Sequence, residues 1–263
     1  MLKHTFVVCA YKESRYLESC VRSLVNQTVK SDIIMATSTK NEHIKKIAEK
    51  YNIPLYINED QKGIAGDWNF AYSKAETEYV TIAHQDDVYS PTYTETMINI
   101  LDKAENPSIG FTGYFEIRKG KRVVKNTNLI IKRLMLLPLN IKGGGKRRTL
   151  RRMSIAFGNP ICCPSVMYVK KNLPSAPFDA ELRSNLDWQL WEKLSKKKHS
   201  EFVYCSKPLM GHRIHEESET SAVIDDNKRS DEDYKIFRMF WPVPIAKAIT
   251  KVYAKSEKSN KLQ

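Results

Sequence analysis

Two acidic positions and a histidine pair are the residues of this chain best suited to chemistry. Gln85-Asp86-Asp87 sets two carboxylates side by side directly after an apolar run. Hard oxygen donors on a loop suit Mg²⁺ or Mn²⁺ and, through the cation, a diphosphate. An Asp that merely caps the next helix would leave the same pattern. Asp187 lies near the start of a helical segment. A carboxylate there can take a proton from a hydroxyl about 3 Å away, or simply complement the helix dipole. His212 and His215 could form a metal pair, but the sequence lacks HExxH, and a hydrogen-bonded loop histidine is the simpler reading of His212.

The elements that must position these groups follow from periodicity. His4 to Cys9 is a short apolar run that reads as a buried strand. Ser14 can cap a helix in which Leu17, Cys20, Val21 and Leu24 share one face. Ile33 to Met35 is a second strand; Ile44, Ile47, Ala48 and Tyr51 mark a second helix; Ile53 to Ile57 is a third strand. A turn at Gly63 and Gly66 leads into a helix over Trp68 to Ala75, and Tyr79 to Ala83 is a fourth strand ending at His84-Gln85-Asp86-Asp87. Ser90 and Pro91 carry the N-cap and N1 signature of a helix reaching about Ala104. Strands alternating with helices predict a parallel α/β sheet, whose ligands sit at the carboxyl ends of the strands. Strand pairs, a basic segment and a helix over Leu186 to Lys197 follow.

The 263 residues carry 43 Lys plus Arg against 30 Asp plus Glu, a net charge of +13. Of the 43, 13 lie between Arg118 and Arg152, where there is no acid, so the rest of the chain is neutral. That window interleaves its charge with Leu129, Ile130, Ile131, Leu134, Leu136, Leu137, Leu139 and Ile141. Such a mixture suits an anionic lipid surface, with Lys146, Arg147, Arg148, Arg151 and Arg152 as the expected contacts. A solvated basic loop is the plainer alternative, and the window holds no recognised nucleic-acid reader. Tyr234 to Gln263 repeats the theme as a short amphipathic tail that Pro242 and Pro244 interrupt. A mean hydropathy of −0.48 and 41% hydrophobic residues exclude both a disordered chain and an integral membrane protein. Met1-Leu2-Lys3-His4 runs directly into the first strand, so no signal peptide is expected. Cys9, Cys20, Cys162, Cys163 and Cys205 contain no CxxC pair and read as reduced, cytoplasmic thiols.

Phe6 to Glu13, then Leu17, Cys20, Ser23-Leu24 and Asn26-Gln27-Thr28, resemble the opening of family 2 glycosyltransferases: a strand, a Tyr-Asn-type turn, and a helix closing in Ser-Leu-x-x-Gln-Thr. Gly63 to Asn69 followed by Tyr79 to Asp87 is similar to the second signature, a Gly-containing turn, a helix, and a strand ending in a DxD-type motif. A weaker likeness continues through Asn185 to Trp188 and His212 to Ser218. The resemblance implies a GT-A fold, α/β with a mostly parallel central sheet, a nucleotide-sugar donor, Mn²⁺ or Mg²⁺, and inversion at the anomeric carbon. It assigns Ala10, Tyr11 and Glu13 to the nucleoside, with Asp67, Asn69, His84, Gln85 and Asp86 completing the donor side. Asp86 and His215 would hold the metal, Asp187 would be the base, and Asn159, Ser165 and Trp188 would face the acceptor. A tight turn at Asn159-Pro160 and Cys163-Pro164-Ser165, and core packing for Trp188 or Trp191, explain those residues equally simply. His84 stands where the family has its first DxD acid, Leu186 where it has the first of an acidic pair, Ala36-Thr37 near the usual base-reading acid, and Trp68 where many relatives have Arg.

The expectation is a glycosyltransferase domain over residues 1–225, with a basic amphipathic insertion at about 118–152, and a basic tail over 226–263. It would transfer sugar to a lipid-linked or polysaccharide acceptor in surface-polysaccharide synthesis, peripheral on the inner face of the cell membrane. No nucleic acid is expected as a partner, and the sequence leaves a homo-oligomer open. A metal-dependent sugar nucleotidyltransferase is the rival enzyme. A non-catalytic basic protein binding membrane or nucleic acid is the rival outside catalysis.

Overall fold

The computed structural model describes residues 2–60, 63–215 and 228–258. Its first half alternates strands and helices: β1 (His4–Cys9), α1 (Leu17–Val25), β2 (Asp32–Thr37), α2 (Glu42–Lys50), β3 (Leu55–Ile57), α3 (Gly63–Lys74), β4 (Tyr79–His84), β5 (Val88–Tyr89) and α4 (Tyr93–Leu101). Then come β6 (Pro107–Arg118), β7 (Lys121–Val123), α5 (Thr127–Met135), α6 (Leu137–Asn140), α7 (Arg148–Ile155), β8 (Val166–Val169), α8 (Leu186–Lys196) and β9 (Glu201–Ile214). Helices Lys228–Arg238 and Val243–Lys258 close the described chain.

One sheet runs in the order β3-β2-β1-β4-β8-β6-β9-β5, with β7 paired on β6. β1 to β4 are mutually parallel, β8 is antiparallel to both β4 and β6, and β6 runs parallel to β9. Alternation along β1 divides the core between the two faces of the sheet. Phe6 and Val8 pack with Leu17, Cys20, Ile44 and Met97 from α1, α2 and α4. Val7 packs on the other face, with Ala71 of α3 and Leu190 and Leu194 of α8. The expected faces of the first two helices are buried as read: Leu17, Cys20, Val21 and Leu24 in α1, Ile44, Ile47 and Ala48 in α2. All five cysteines are free.

Three boundaries differ from expectation for local reasons. Helix α4 has its N-cap at Thr92, two residues beyond Ser90. Ser90 is instead a tie: its N–H donates to the Leu209 carbonyl, and its own carbonyl accepts from Gln27 Nε2 at 2.9 Å. Strand β3 starts at Leu55 because Ile53 N–H still closes the end of α2 on the Ala48 carbonyl. Pro244 lies inside the first turn of the Val243–Lys258 helix, where a missing N–H costs nothing, so the break falls before Val243.

The basic window is folded rather than looped. Arg151 is 1% exposed and donates to five main-chain carbonyls, those of Gly145, Lys146, Ser195, Lys197 and Ser200. Arg152 reaches buried Glu192 at 2.9 Å and lies over the Phe240 ring. Arg151 therefore holds α7 to α8 and the start of β9 and faces no surface, and Arg152, only partly exposed, is spent on α8, which corrects their sequence assignment. Gly145 explains the close approach, since a Cβ there would collide with the Phe202 carbonyl oxygen of β9. The last two helices pack on α8: Trp188 meets Phe237 at 5.1 Å and Tyr253 at 5.7 Å between ring centroids.

Candidate active site

The carboxyl ends of β1, β2 and β4 are tied together by side chains of the residues that follow them. Gln85 Oε1 accepts from Tyr11 N–H at 3.0 Å, and Gln85 Nε2 donates to the Tyr11 carbonyl at 2.9 Å. Ala10 N–H donates to the Ala36 carbonyl. Lys12 takes a left-handed φ of 53°, with its N–H donating to Thr39 Oγ1 at 2.5 Å. Asp67 on α3 accepts from Ser38 Oγ at 2.8 Å and Asn58 Nδ2 at 2.7 Å, which joins the ends of β2 and β3. Tyr11, 41% exposed, and Glu13 are left on the surface of this rim.

The two acids after β4 point to different partners. Asp86 Oδ2 lies 2.9 Å from His215 Nε2, and its carbonyl accepts from Arg213 Nε at 2.8 Å. Asp87 is buried; Oδ1 accepts from Arg213 N–H at 2.9 Å and lies 3.2 Å from His212 Nδ1. Burial works against the Asp86 charge, but the His215 hydrogen bond and the imidazoles of His84 and His212 outweigh it, so its carboxyl sits below the ordinary range. Burial likewise opposes a His212 cation, yet the neighbouring Asp87 carboxylate outweighs it and holds that imidazole above its ordinary value. The His84 ring lies tilted against that of Trp68, with ring centroids 5.3 Å apart.

This turn has the donors a hard or borderline cation needs. Ligand atoms of His84, Asp86 and Asp87 lie within 4.8 Å of one another. His84 Nε2 and Asp87 Oδ2 are both buried without a hydrogen-bond partner among the described residues. Orphaned polar atoms on residues whose nitrogen and oxygen donors cluster fit a divalent cation. The residues present therefore suit the expected Mn²⁺ or Mg²⁺.

Asp187, in the first turn of α8, is the second acidic centre. Its Oδ2 accepts from Asn159 Nδ2 at 2.8 Å and its Oδ1 from Trp188 N–H at 2.7 Å. Burial pushes the carboxyl up, and these two bonds, with the charges of Arg229 and His84, offset only part of that rise. Asn159 is held in turn by its N–H, which donates to Tyr253 Oη at 3.4 Å.

Three of the expected site residues are placed elsewhere. Asn69 pairs with the main chain of Phe178 through both ends of its amide, at 2.7 and 3.0 Å, and so anchors the loop before α8. Ser165 is fully buried with Oγ donating to the Cys162 carbonyl. Trp188 is 0% exposed and donates through Nε1 to the Ile155 carbonyl. Neither Ser165 nor Trp188 can touch an acceptor from those positions; the core reading of Trp188 is the correct one. Arg213 is the residue that sequence reasoning passed over. Its only signal was its place between His212 and His215, and its role depends on β9 lying beside β5. Glu216, Glu217 and Ser218 lie outside the described residues.

Fold and site together define a GT-A transferase domain, with paired acids at the end of a central parallel strand. The family model for glycosyl transferase family 2 matches residues 5–172. The chain belongs to that family and is a glycosyltransferase. An uncharacterized glycosyltransferase of Rickettsia typhi is 24% identical over 230 residues, 84% of this chain and 67% of the relative. One from Rickettsia conorii is 22% identical over 85% of this chain, which spans only 36% of that relative. Among solved structures, S. aureus TarS 1–349 superposes with a TM-score of 0.62 at 14% identity, over 99% of this chain and 73% of that one. The mannosyltransferase PcManGT from Pyrobaculum calidifontis, in complex with GDP-Man and Mn²⁺, gives 0.62 at 14%, over 96% and 69%.

Proposed function

We propose that this protein transfers a sugar, with inversion, from a nucleoside-diphosphate sugar to a hydroxyl of a lipid-linked or polysaccharide acceptor in surface-polysaccharide synthesis. The observation that carries this reading is the setting of Asp187: a carboxylate raised by burial and fixed in orientation by Asn159 and the Trp188 N–H. Tyr11 and Glu13, with Ala10 beneath them, offer an exposed rim for the nucleoside, braced from below by Gln85 and Asp67. Asp86 and His215 would hold the divalent cation, which when bound supplies charge stabilisation to the departing diphosphate. Asp187 accepts the acceptor's proton as the new C1–O bond forms on the face opposite the breaking bond to the diphosphate oxygen.

Incubation with UDP- and GDP-sugars and Mn²⁺ should release nucleoside diphosphate, read by ion-exchange chromatography. No nucleoside diphosphate here, with pyrophosphate released instead from a nucleoside triphosphate and a sugar 1-phosphate, would establish the nucleotidyltransferase.

The membrane part of the reading is supported by α5 and α6. Ile130 and Leu134 of α5, Leu137 of α6 and Ile141 just beyond it make an exposed apolar stripe, Leu134 by 57%. Exposed Lys125 and Lys142 bracket this stripe, and Lys247 and Lys251 lie on the C-terminal helix beside exposed Ile245 and Val252. An apolar stripe with a cationic border fits an anionic bilayer surface, each Lys adding about 1 kcal/mol. No helix among the described residues is long and apolar enough to cross a membrane. Replacing Leu134, Leu137 and Ile141 with Gln should abolish co-sedimentation with phosphatidylglycerol vesicles while donor hydrolysis continues. Equal binding of the unaltered protein to neutral and anionic vesicles would sink the electrostatic part.

A further inference from the structure

We propose that the two C-terminal helices belong to the catalytic unit, with Glu232 and Tyr253 as positioning residues for Asp187. The inference rests on the reading of Asp187 as the base and goes beyond it to what holds that base in place. Helix α8 begins without a cap of its own: Asn185 stands at the N-cap, yet its side chain bonds no N–H of the helix. Asn185 Nδ2 donates instead to Asp233 Oδ1 at 2.8 Å. Beside it, one carboxylate gathers the segment that leads into the helix. Glu232 Oε1 accepts from Arg183 N–H at 2.7 Å, and Oε2 accepts from Ser184 N–H at 2.9 Å, Ser184 Oγ at 2.6 Å and Asn185 N–H at 3.2 Å. Asp187 follows in the first turn. Glu232 is 8% exposed and Asp233 is fully buried. Burial opposes the Glu232 charge, but the Ser184 hydroxyl and the main-chain donors outweigh it and hold the carboxyl below its ordinary range. Apolar packing would join two helices at least as well as buried carboxylates do. What packing lacks is direction, and charge-assisted hydrogen bonds supply it to the residues just before the base.

The Val243–Lys258 helix reaches the base from the other side. Tyr253 Oη accepts from Asn159 N–H at 3.4 Å, and Asn159 Nδ2 donates to Asp187 Oδ2 at 2.8 Å. Gly158 admits the ring, since a Cβ there would stand 2.7 Å from Tyr253 Cε2. The same ring meets that of Trp188, whose N–H bonds Asp187 Oδ1, at 5.7 Å between centroids. Both oxygens of the base are thus held by residues that Tyr253 touches. Against the dominant effect of burial, Arg229 on the Lys228–Arg238 helix adds a positive charge that favours the ionised carboxylate. A base must stand within about 3 Å of the proton it takes, and a misplacement of about 1 Å can cost about 100-fold in rate.

The test sets Tyr253→Phe and Glu232→Gln beside Asp187→Asn in the full chain with Mn²⁺. It reads release of UDP or GDP from a UDP- or GDP-sugar with water as acceptor. Tyr253→Phe keeps the ring contacts and loses the hydroxyl; Glu232→Gln keeps the size and turns one acceptor oxygen into an N–H donor. kcat should fall about 10-fold in the first and about 100-fold in the second, with the affinity for UDP or GDP unchanged. In an Asp187→Asn background neither change should lower kcat further, because both act through that carboxylate. Circular dichroism confirms folding, and if Glu232→Gln does not fold, Tyr253→Phe carries the test. Independently of turnover, the Asn159 side-chain amide protons should undergo deuterium exchange about tenfold faster in Tyr253→Phe, read by NMR. Unchanged kcat in the folded variants, unchanged amide exchange, or an equal fall in the Asp187→Asn background overturns this inference alone. Undiminished kcat in Asp187→Asn overturns it together with the assignment of the base.

Discussion

Asp187→Asn lowers kcat by about 10²–10⁴, the range expected when a general base is removed, and leaves donor affinity almost unchanged. The asparagine retains the shape but only one acceptor oxygen for the two donors, Asn159 Nδ2 and the Trp188 N–H, so an unchanged circular dichroism melt is the control that assigns the loss to proton transfer rather than folding. The pH dependence follows from the burial of the carboxyl. Burial raises it above the ordinary carboxylate range, and the bonds from Asn159 and Trp188 do not restore it. Only the deprotonated form can accept a proton. Activity is therefore present above the raised pKa, and it falls away as pH drops through that value, at higher pH than for an exposed Asp. The same shift acts on stability with the opposite sense. Protonated Asp187 suits its buried site, and the cost of ionising it appears as pH rises through the ordinary range toward the raised value. A pH profile of kcat/KM that keeps its acid limb in Asp187→Asn would assign that limb, and the base, to another group.

Arg151→Met destabilises the fold by about 3–5 kcal/mol, because five main-chain carbonyls, those of Gly145, Ser195 and Ser200 in buried bonds and those of Lys146 and Lys197 in half-buried ones, lose a charged donor at once. For a chain of this size that is a fall in Tm of about 10 °C. Arg147→Gln and Arg148→Gln, four and three residues earlier and both exposed, should stay within about 0.5 kcal/mol of the unaltered protein. Thermal unfolding by circular dichroism separates the two classes. Equal melting of all three variants would mean that the Arg151 carbonyls are rehydrated rather than orphaned.

That contrast also shows where sequence reasoning reaches and where it stops. The strands β1 to β4 and the buried faces of α1 and α2 were legible because their signals are local: alternation, helical spacing and Gly or Pro punctuation. The acids at the end of β4 were legible for the same reason, since a strand end in a parallel sheet is a place where ligands collect. Arg151, by contrast, reads as one more cation in a basic run. Its partners at Ser195, Lys197 and Ser200 are brought by α8 and β9, and nothing in its neighbourhood announces them. Asn69 was drawn to the donor side by the family likeness, yet its amide is satisfied by Phe178, more than a hundred residues away in sequence. The adjacent pair Asp86 and Asp87 shows both sides of the problem. Its chemistry was visible, but the division of labour between the two carboxylates depends on His212, Arg213 and His215.

The pairing of β5 with β9 bears on the order in which the protein can be completed during its synthesis. β5 pairs with β9 at Gly211 and Met210, and the residues just beyond them hold Asp86 and Asp87. A nascent chain that has emerged from the ribosome as far as β8 already has the parallel strands β1 to β4 and, beyond them, β8 and β6. Its acidic turn still lacks His212, Arg213 and His215, and the edge of β6 that β9 will cover is still bare. Such a chain cannot yet gather the cation, and it exposes a long strand edge open to pairing with other chains. Competence for donor and relief from that hazard then arrive together, late in translation, with a single strand.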